Sequence, residues 1–127
     1  MRIFRNKWFS RFARQEGIAD QELIEAIERA DRGLVDADLG GGVIKQRIAR
    51  PGEGKSGGFR SIVLFRKEEL AFFVFGFAKN DQDNIDRKEL KAFRALADDM
   101  LAYDTKTLAK VIRSGALTEV KDDDEQD

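Results

Sequence analysis

The chain has 127 residues, 42% of them hydrophobic and 37% charged, which suits one domain with a modest core under a heavily charged surface. It contains no cysteine and no histidine, which excludes disulfide scaffolds, Cys/His zinc sites, iron–sulfur clusters and any catalytic Cys nucleophile or His base. The net charge of −1 conceals segregation: +5 over residues 1–14, −4 over 15–34, +4 over 43–60 and −5 over 118–127. Such patches leave a polyanionic partner open.

Residues 5–14 place Trp8, Phe9, Phe12 and Ala13 at helical spacing, preceded by Met1–Phe4 as a possible edge strand. Asp20 reads as the N-cap of a second helix whose apolar face is Leu23, Ile27, Ala30 and Leu34, closed by Gly33. The two helices form a hairpin packed on a sheet. After the triplet Gly40–Gly42 the period becomes two. Ile44 and Ile48 share one face of a strand over 43–50, with Gln46 between them, and Lys45 and Arg47 share the other. Pro51–Gly58, with the only proline, is a loop. Phe59–Phe65 and Leu70–Ala78 follow as strands, the second apolar on both faces and therefore central. Asp86 and Glu89 form a capping box opening a helix that buries Leu90, Phe93, Ala97 and Met100. A shorter helix carries Leu108, Val111 and Ile112, and Tyr103 is expected to pack. The predicted class is α+β: an antiparallel sheet of three to four strands on an N-terminal helical hairpin, with C-terminal helices. The domain spans 1–117, and the acidic tail 118–127 is expected to be disordered.

No stretch reaches the roughly 20 apolar residues that span a bilayer. Met1–Arg14 lacks the hydrophobic segment of a signal peptide, so a cytoplasmic location is expected.

The chemistry-bearing residues cluster. Lys45 and Arg47 on one strand face, Arg50, a glycine-rich loop with Lys55, and Arg60 opening the next strand converge if the strands pair as a hairpin. Such cations bind a phosphodiester and stabilise charge developing on it. The same pattern also fits a solvated face that keeps a sheet soluble. Gly54-Lys55-Ser56 is not a Walker A motif, because Ala49 stands where its first glycine belongs and a strand, not a helix, follows. Lys79 ends the central strand, either held over a cleft or as an ordinary terminal lysine. Among Phe72, Phe73, Phe75 and Phe77, Phe77 is the ring expected to reach the surface and stack on a base. Asn80–Asn84 lacks the ligand positions of an EF-hand, so no metal is assigned.

Leu39–Arg50, Gly54–Arg60 and Gly76–Asn80, taken together, resemble the RelE-like toxins of type II toxin–antitoxin systems, within the RelE/ParE superfamily and near its HigB-type members. The resemblance implies a ribosome-dependent mRNA endoribonuclease that needs no metal or small-molecule cofactor. In that family the ribose 2′-OH attacks the adjacent phosphate, giving a cyclic phosphate and a free 5′-hydroxyl. Carried over by motif, Lys45 and Arg47 hold the phosphate and help activate the 2′-OH. Arg60 stabilises the pentavalent transition state, and Lys79 assists the leaving oxygen. Arg50, Lys55 and Phe77 then contact the RNA. Partners implied are the ribosome with its mRNA and a cognate antitoxin carrying a helix-turn-helix domain. The chain departs from relatives at Phe59, where many have Tyr, at Gln82, where a basic residue is common, and in having no tyrosine after Tyr103. A ParE-like gyrase inhibitor and a non-catalytic member that binds antitoxin or RNA share the same fold and stay open.

Overall fold

The apolar run Leu70–Ala78 forms a strand inside a six-stranded sheet. A computed structural model describes residues 1–49, 58–78 and 85–121. In chain order the elements are β1 (Arg2–Asn6), α1 (Lys7–Glu16), α2 (Asp20–Asp31), β2 (Ala37–Gly40), β3 (Val43–Ile48), β4 (Phe59–Arg66), β5 (Leu70–Ala78), α3 (Arg87–Met100), α4 (Thr105–Arg113) and β6 (Leu117–Glu119). The strand order is β2-β3-β4-β5-β1-β6.

The α+β class holds, but the sheet is larger than three to four strands and is mixed. β2 to β5 form an antiparallel meander, whereas β1 pairs with β5 in parallel, Arg2 opposite Leu70 through Arg5 opposite Phe73. β1 is not an edge strand, because β6 pairs antiparallel on its far side. β2 and β6 have four and three residues, too few to show alternation. The parallel pairing is long-range and leaves no turn signal. The fold also continues past residue 117. Leu117–Glu119 is β6, and buried Val120 donates its N–H to the Ile3 carbonyl at 2.8 Å.

Helix boundaries follow local hydrogen bonding. Asn6 caps α1 by accepting the Phe9 N–H at 2.8 Å. Asp20 is the first residue of α2 and not its cap. Its carboxylate accepts from Arg5 Nη1 at 2.6 Å, while the cap is Ala19, whose N–H donates to Glu22 Oε2 at 2.7 Å. Leu34 lies beyond the end of α2 and is exposed rather than on its apolar face. The Asp86–Glu89 capping box opens α3 as expected, with reciprocal bonds of 2.8 and 2.9 Å.

The two helix pairs cover opposite faces. α1 and α2 contribute Phe9, Leu23 and Ile27 to a core with Ile44, Val63 and Phe73. α3 and α4 contribute Ala97, Met100 and Leu108 to a second core with Val43, Leu64 and Phe72. The turn from β2 to β3 meets α3 closely. Gly42 has φ +84°, and a Cβ there would come within 2.7 Å of Leu101 Cδ1. Only glycine suits that position.

Candidate functional site

Strand alternation separates the core from the charges on β3 and β4. Ile44, Gln46 and Ile48 point to the α1/α2 face, so Lys45 and Arg47 point to the other, with Val43. On β4, Phe59 and Val63 belong to the α1/α2 face, and Arg60 shares the opposite face with Ile62 and Leu64. The register aligns these residues into rows across the sheet. Arg47 stands opposite Arg60, and Arg60 opposite Phe77. Lys45 stands opposite Ile62, and Ile62 opposite Phe75. The next row, Val43 opposite Leu64 and Leu64 opposite Phe72, lies in the α3/α4 core. One sheet face is therefore apolar beneath α3 and α4 and cationic at its far end.

The sequence-predicted residues Lys45, Arg47 and Arg60 are thus brought together on one surface, each half-buried. Arg50, Lys55 and Lys79 lie outside the described residues. The segments carrying them join at Ala49, Gly58 and Ala78, at the end of the sheet that holds the Arg47–Arg60 row.

Phe77 is corrected. It is 5% exposed and packs against Phe75 at 6.1 Å, so it is not a surface ring. The face it occupies is set by a register shift between Ile62 and Val63. Val63 pairs with Phe73 but Ile62 pairs with Phe75, leaving Val74 as the extra residue. That residue inverts the alternation, so Phe75 and Phe77 share a face with Phe72 instead of with Phe73. The aromatic nearer the surface is Phe75, and beside it stands Trp8, 41% exposed, with ring centroids 4.6 Å apart. Sequence periodicity had grouped Trp8 with the apolar face of α1. Its position at the margin of that face, between Lys7 and Arg11, was the available signal.

The backbone around Arg47 is anchored. Its carbonyl accepts from Arg29 Nη2, and its N–H donates to the Asp36 carboxylate. Gly58 closes against β3 so tightly that a Cβ would lie 2.5 Å from the Ile48 carbonyl oxygen and 3.4 Å from Arg47 Nε. Among the described residues, neither Lys45 nor Arg60 has an ion-pair partner. Arg60 Nη1 is buried with no hydrogen-bond partner there. Like charges directly across a strand pair destabilise it by up to roughly 1 kcal/mol. An anion received between Arg47 and Arg60 would reverse that sign and give the buried nitrogen an acceptor.

Tyr103 packs as expected, edge-on to Phe72 at 6.4 Å, with its hydroxyl 3.4 Å from Asp99 Oδ2. Burial, then the Asp99 charge, raise its pKa above the ordinary tyrosine value. Among the described residues no group of three or more acidic side chains could hold a metal ion, and no helix is long and apolar enough to cross a membrane.

A small α+β domain with a mixed sheet and a cationic sheet end is a scaffold suited to receiving phosphate. The family model described as RelE toxin of the RelE/RelB toxin–antitoxin system matches residues 1–120. The chain belongs to this family, the toxin component of a toxin–antitoxin system, whose partner is a cognate antitoxin. A search of curated proteins finds no match.

Proposed function

We propose that this toxin is a metal-independent, ribosome-dependent mRNA endoribonuclease of HigB-like type, acting in the cytoplasm and held in check by an antitoxin with a helix-turn-helix domain. The observation that carries the reading is the Arg47–Arg60 pair, in direct register on one sheet face with Lys45 two residues along β3. Three cations converging on one surface are what a phosphodiester needs for charge-assisted hydrogen bonds.

In this reading the scissile phosphate lies between Arg47 and Arg60. The ribose 2′-oxygen forms a bond to phosphorus as the P–O5′ bond breaks, giving a 2′,3′-cyclic phosphate and a 5′-hydroxyl. The 2′-OH proton leaves toward solvent or the Lys45 side of the site, and O5′ gains a proton, with Lys79 assisting. Arg60 and Arg47 act chiefly by holding the extra negative charge of the pentavalent state, a role fixed donors perform well in a low-dielectric site.

The test is primer extension on a reporter mRNA after induced expression, repeated with programmed ribosomes. Arg60→Ala is expected to slow cleavage about 100-fold, the typical loss for one charge-stabilising donor. Unchanged growth arrest in a folded Lys45→Ala/Arg60→Ala variant would overturn the proposal. DNA damage without mRNA cleavage would assign the protein to gyrase instead.

A further inference from the structure

Trp8 is unusual among the large apolar side chains because it is exposed and also built into an aromatic cluster. Its ring stacks on Phe12 at 5.4 Å and 17°, and lies 4.6 Å from Phe75 at 31°. Phe75 in turn contacts Phe77 at 6.1 Å and Phe93 of α3 at 5.9 Å. The indole is thereby held in one orientation at the rim of the sheet, with 41% of its surface still open. Core packing accounts for one side of such a ring and leaves the other unexplained.

Cations lie beside the ring along α1, where Lys7 and Arg11 line a groove with Gly115 and Thr118. Lys7 and Arg11 flank Trp8 on α1 and are exposed, and residues 1–14 contain no acid at all. Phe75 links the indole to the row of Lys45 and Ile62, next to the Arg47–Arg60 row. Neighbouring strands lie roughly 4.8 Å apart, so the ring stands on the order of 10 Å from β4, a span that a nucleotide or two covers. An aromatic platform between two groups of cations is the arrangement that binds single-stranded nucleic acid, with bases on the ring and phosphates on the cations.

We propose that Trp8 is a nucleobase-stacking platform for single-stranded RNA. It takes a base flanking the phosphate held at Arg47 and Arg60, while Lys7 and Arg11 receive the adjoining backbone phosphates. The proposal rests on the endoribonuclease reading for the phosphate position and adds to it a base subsite outside the cleavage residues.

Trp8 is the only tryptophan in the chain, so intrinsic fluorescence of the full-length protein reports on this ring alone. The probes are a 2′-O-methyl RNA dodecamer, which lacks the attacking hydroxyl, and an abasic phosphodiester of the same length. The dodecamer is expected to quench Trp8 emission, and the abasic strand to bind without quenching. By polarisation of labelled strands, Trp8→Ala should weaken dodecamer binding about tenfold, with Trp8→Phe restoring most of it. The abasic strand should be little affected by either change.

Binding of the dodecamer without quenching, equal affinity for wild type and Trp8→Ala, or no binding at all would each overturn the platform. A response to purified antitoxin but none to RNA would assign the ring to that protein and also overturn it. None of these results bears on the cleavage reading, which stands or falls on Arg60→Ala with programmed ribosomes.

Discussion

The two faces of the sheet are built from the same strands and treat polar groups in opposite ways. On the face under α1 and α2, Gln46 and Ser61 are fully buried, yet their side chains are well paired. Gln46 Nε2 donates to the carbonyls of Ala26 at 2.9 Å and Leu34 at 3.0 Å, and Oε1 accepts the Asp36 N–H at 3.1 Å. Ser61 Oγ donates to the Gln46 carbonyl at 2.7 Å. At the neighbouring position of each strand, on the other face, Arg47 and Arg60 confront each other, and a buried Arg60 nitrogen has no partner among the described residues. Buried polar groups that serve the fold are satisfied within it. The first face is architecture, whereas the second gathers Lys45, Arg47 and Arg60 on one surface.

The largest expected break of this contrast is on the architectural face. Phe73 is fully buried and packs against Phe9 with ring centroids 5.0 Å apart, so Phe73→Ala should destabilise by about 4 kcal/mol through lost burial and a cavity. Denaturant unfolding checks this, and a change under 1 kcal/mol would mean that the face is not sealed. Gln46→Leu follows. It removes the group that ties α2, the segment after it and β3 together, and strands the Asp36 N–H, at a cost of about 2 kcal/mol. The same unfolding experiment should show a lower midpoint with an unchanged slope.

On the cationic face the sign should invert. Arg60→Met removes a like-charge cross-strand pair and supplies apolar contact, so stability should hold or rise by about 0.5 kcal/mol. Cleavage, measured on programmed ribosomes, should be lost. A marked fall in melting temperature would show that Arg60 serves the fold, as Gln46 does.

The same contrast explains what was legible in the sequence. Alternation over Val43–Ile48 and Phe59–Arg66 assigns Lys45, Arg47 and Arg60 to one surface because both strands are regular and pair with each other. The capping box at Asp86 was legible because its two partners are three residues apart. The face that Phe77 occupies is not legible, because a single extra residue at Val74 inverts the alternation and a continuous apolar run gives no periodicity from which to locate a bulge. The strand at the N-terminus is legible, but its place between β5 and β6, and β6 itself, are not: their pairing joins the two ends of the domain, which no local pattern encodes. The exposure of Trp8 is not legible, because helical spacing does not show where a core ends. Only the surface left by α1 and β5 reveals that the indole remains open.

The smallest effect tests the seam between those chain ends. Arg2 donates through Nε and Nη2 to the two carboxylate oxygens of Glu119, both at 3.0 Å, and so joins β1 to the edge strand β6. These hydrogen bonds, with the Arg2 charge, hold the Glu119 carboxyl below its ordinary value against the opposing effect of partial burial. A carboxylate with a depressed folded pKa stabilises the fold fully above its unfolded value, about 4.3, and that contribution disappears as pH falls through the lower folded value. Solvent screening at this partly exposed pair limits the effect to a few tenths of a kcal/mol. Glu119→Gln should therefore lower the unfolding midpoint slightly at pH 7, and the gap from wild type should close toward pH 3. A gap that persists at pH 3 would show that Glu119 supports β6 through packing or neutral hydrogen bonding. The bidentate geometry argues against that, because a protonated carboxyl cannot accept both Arg2 bonds as strongly.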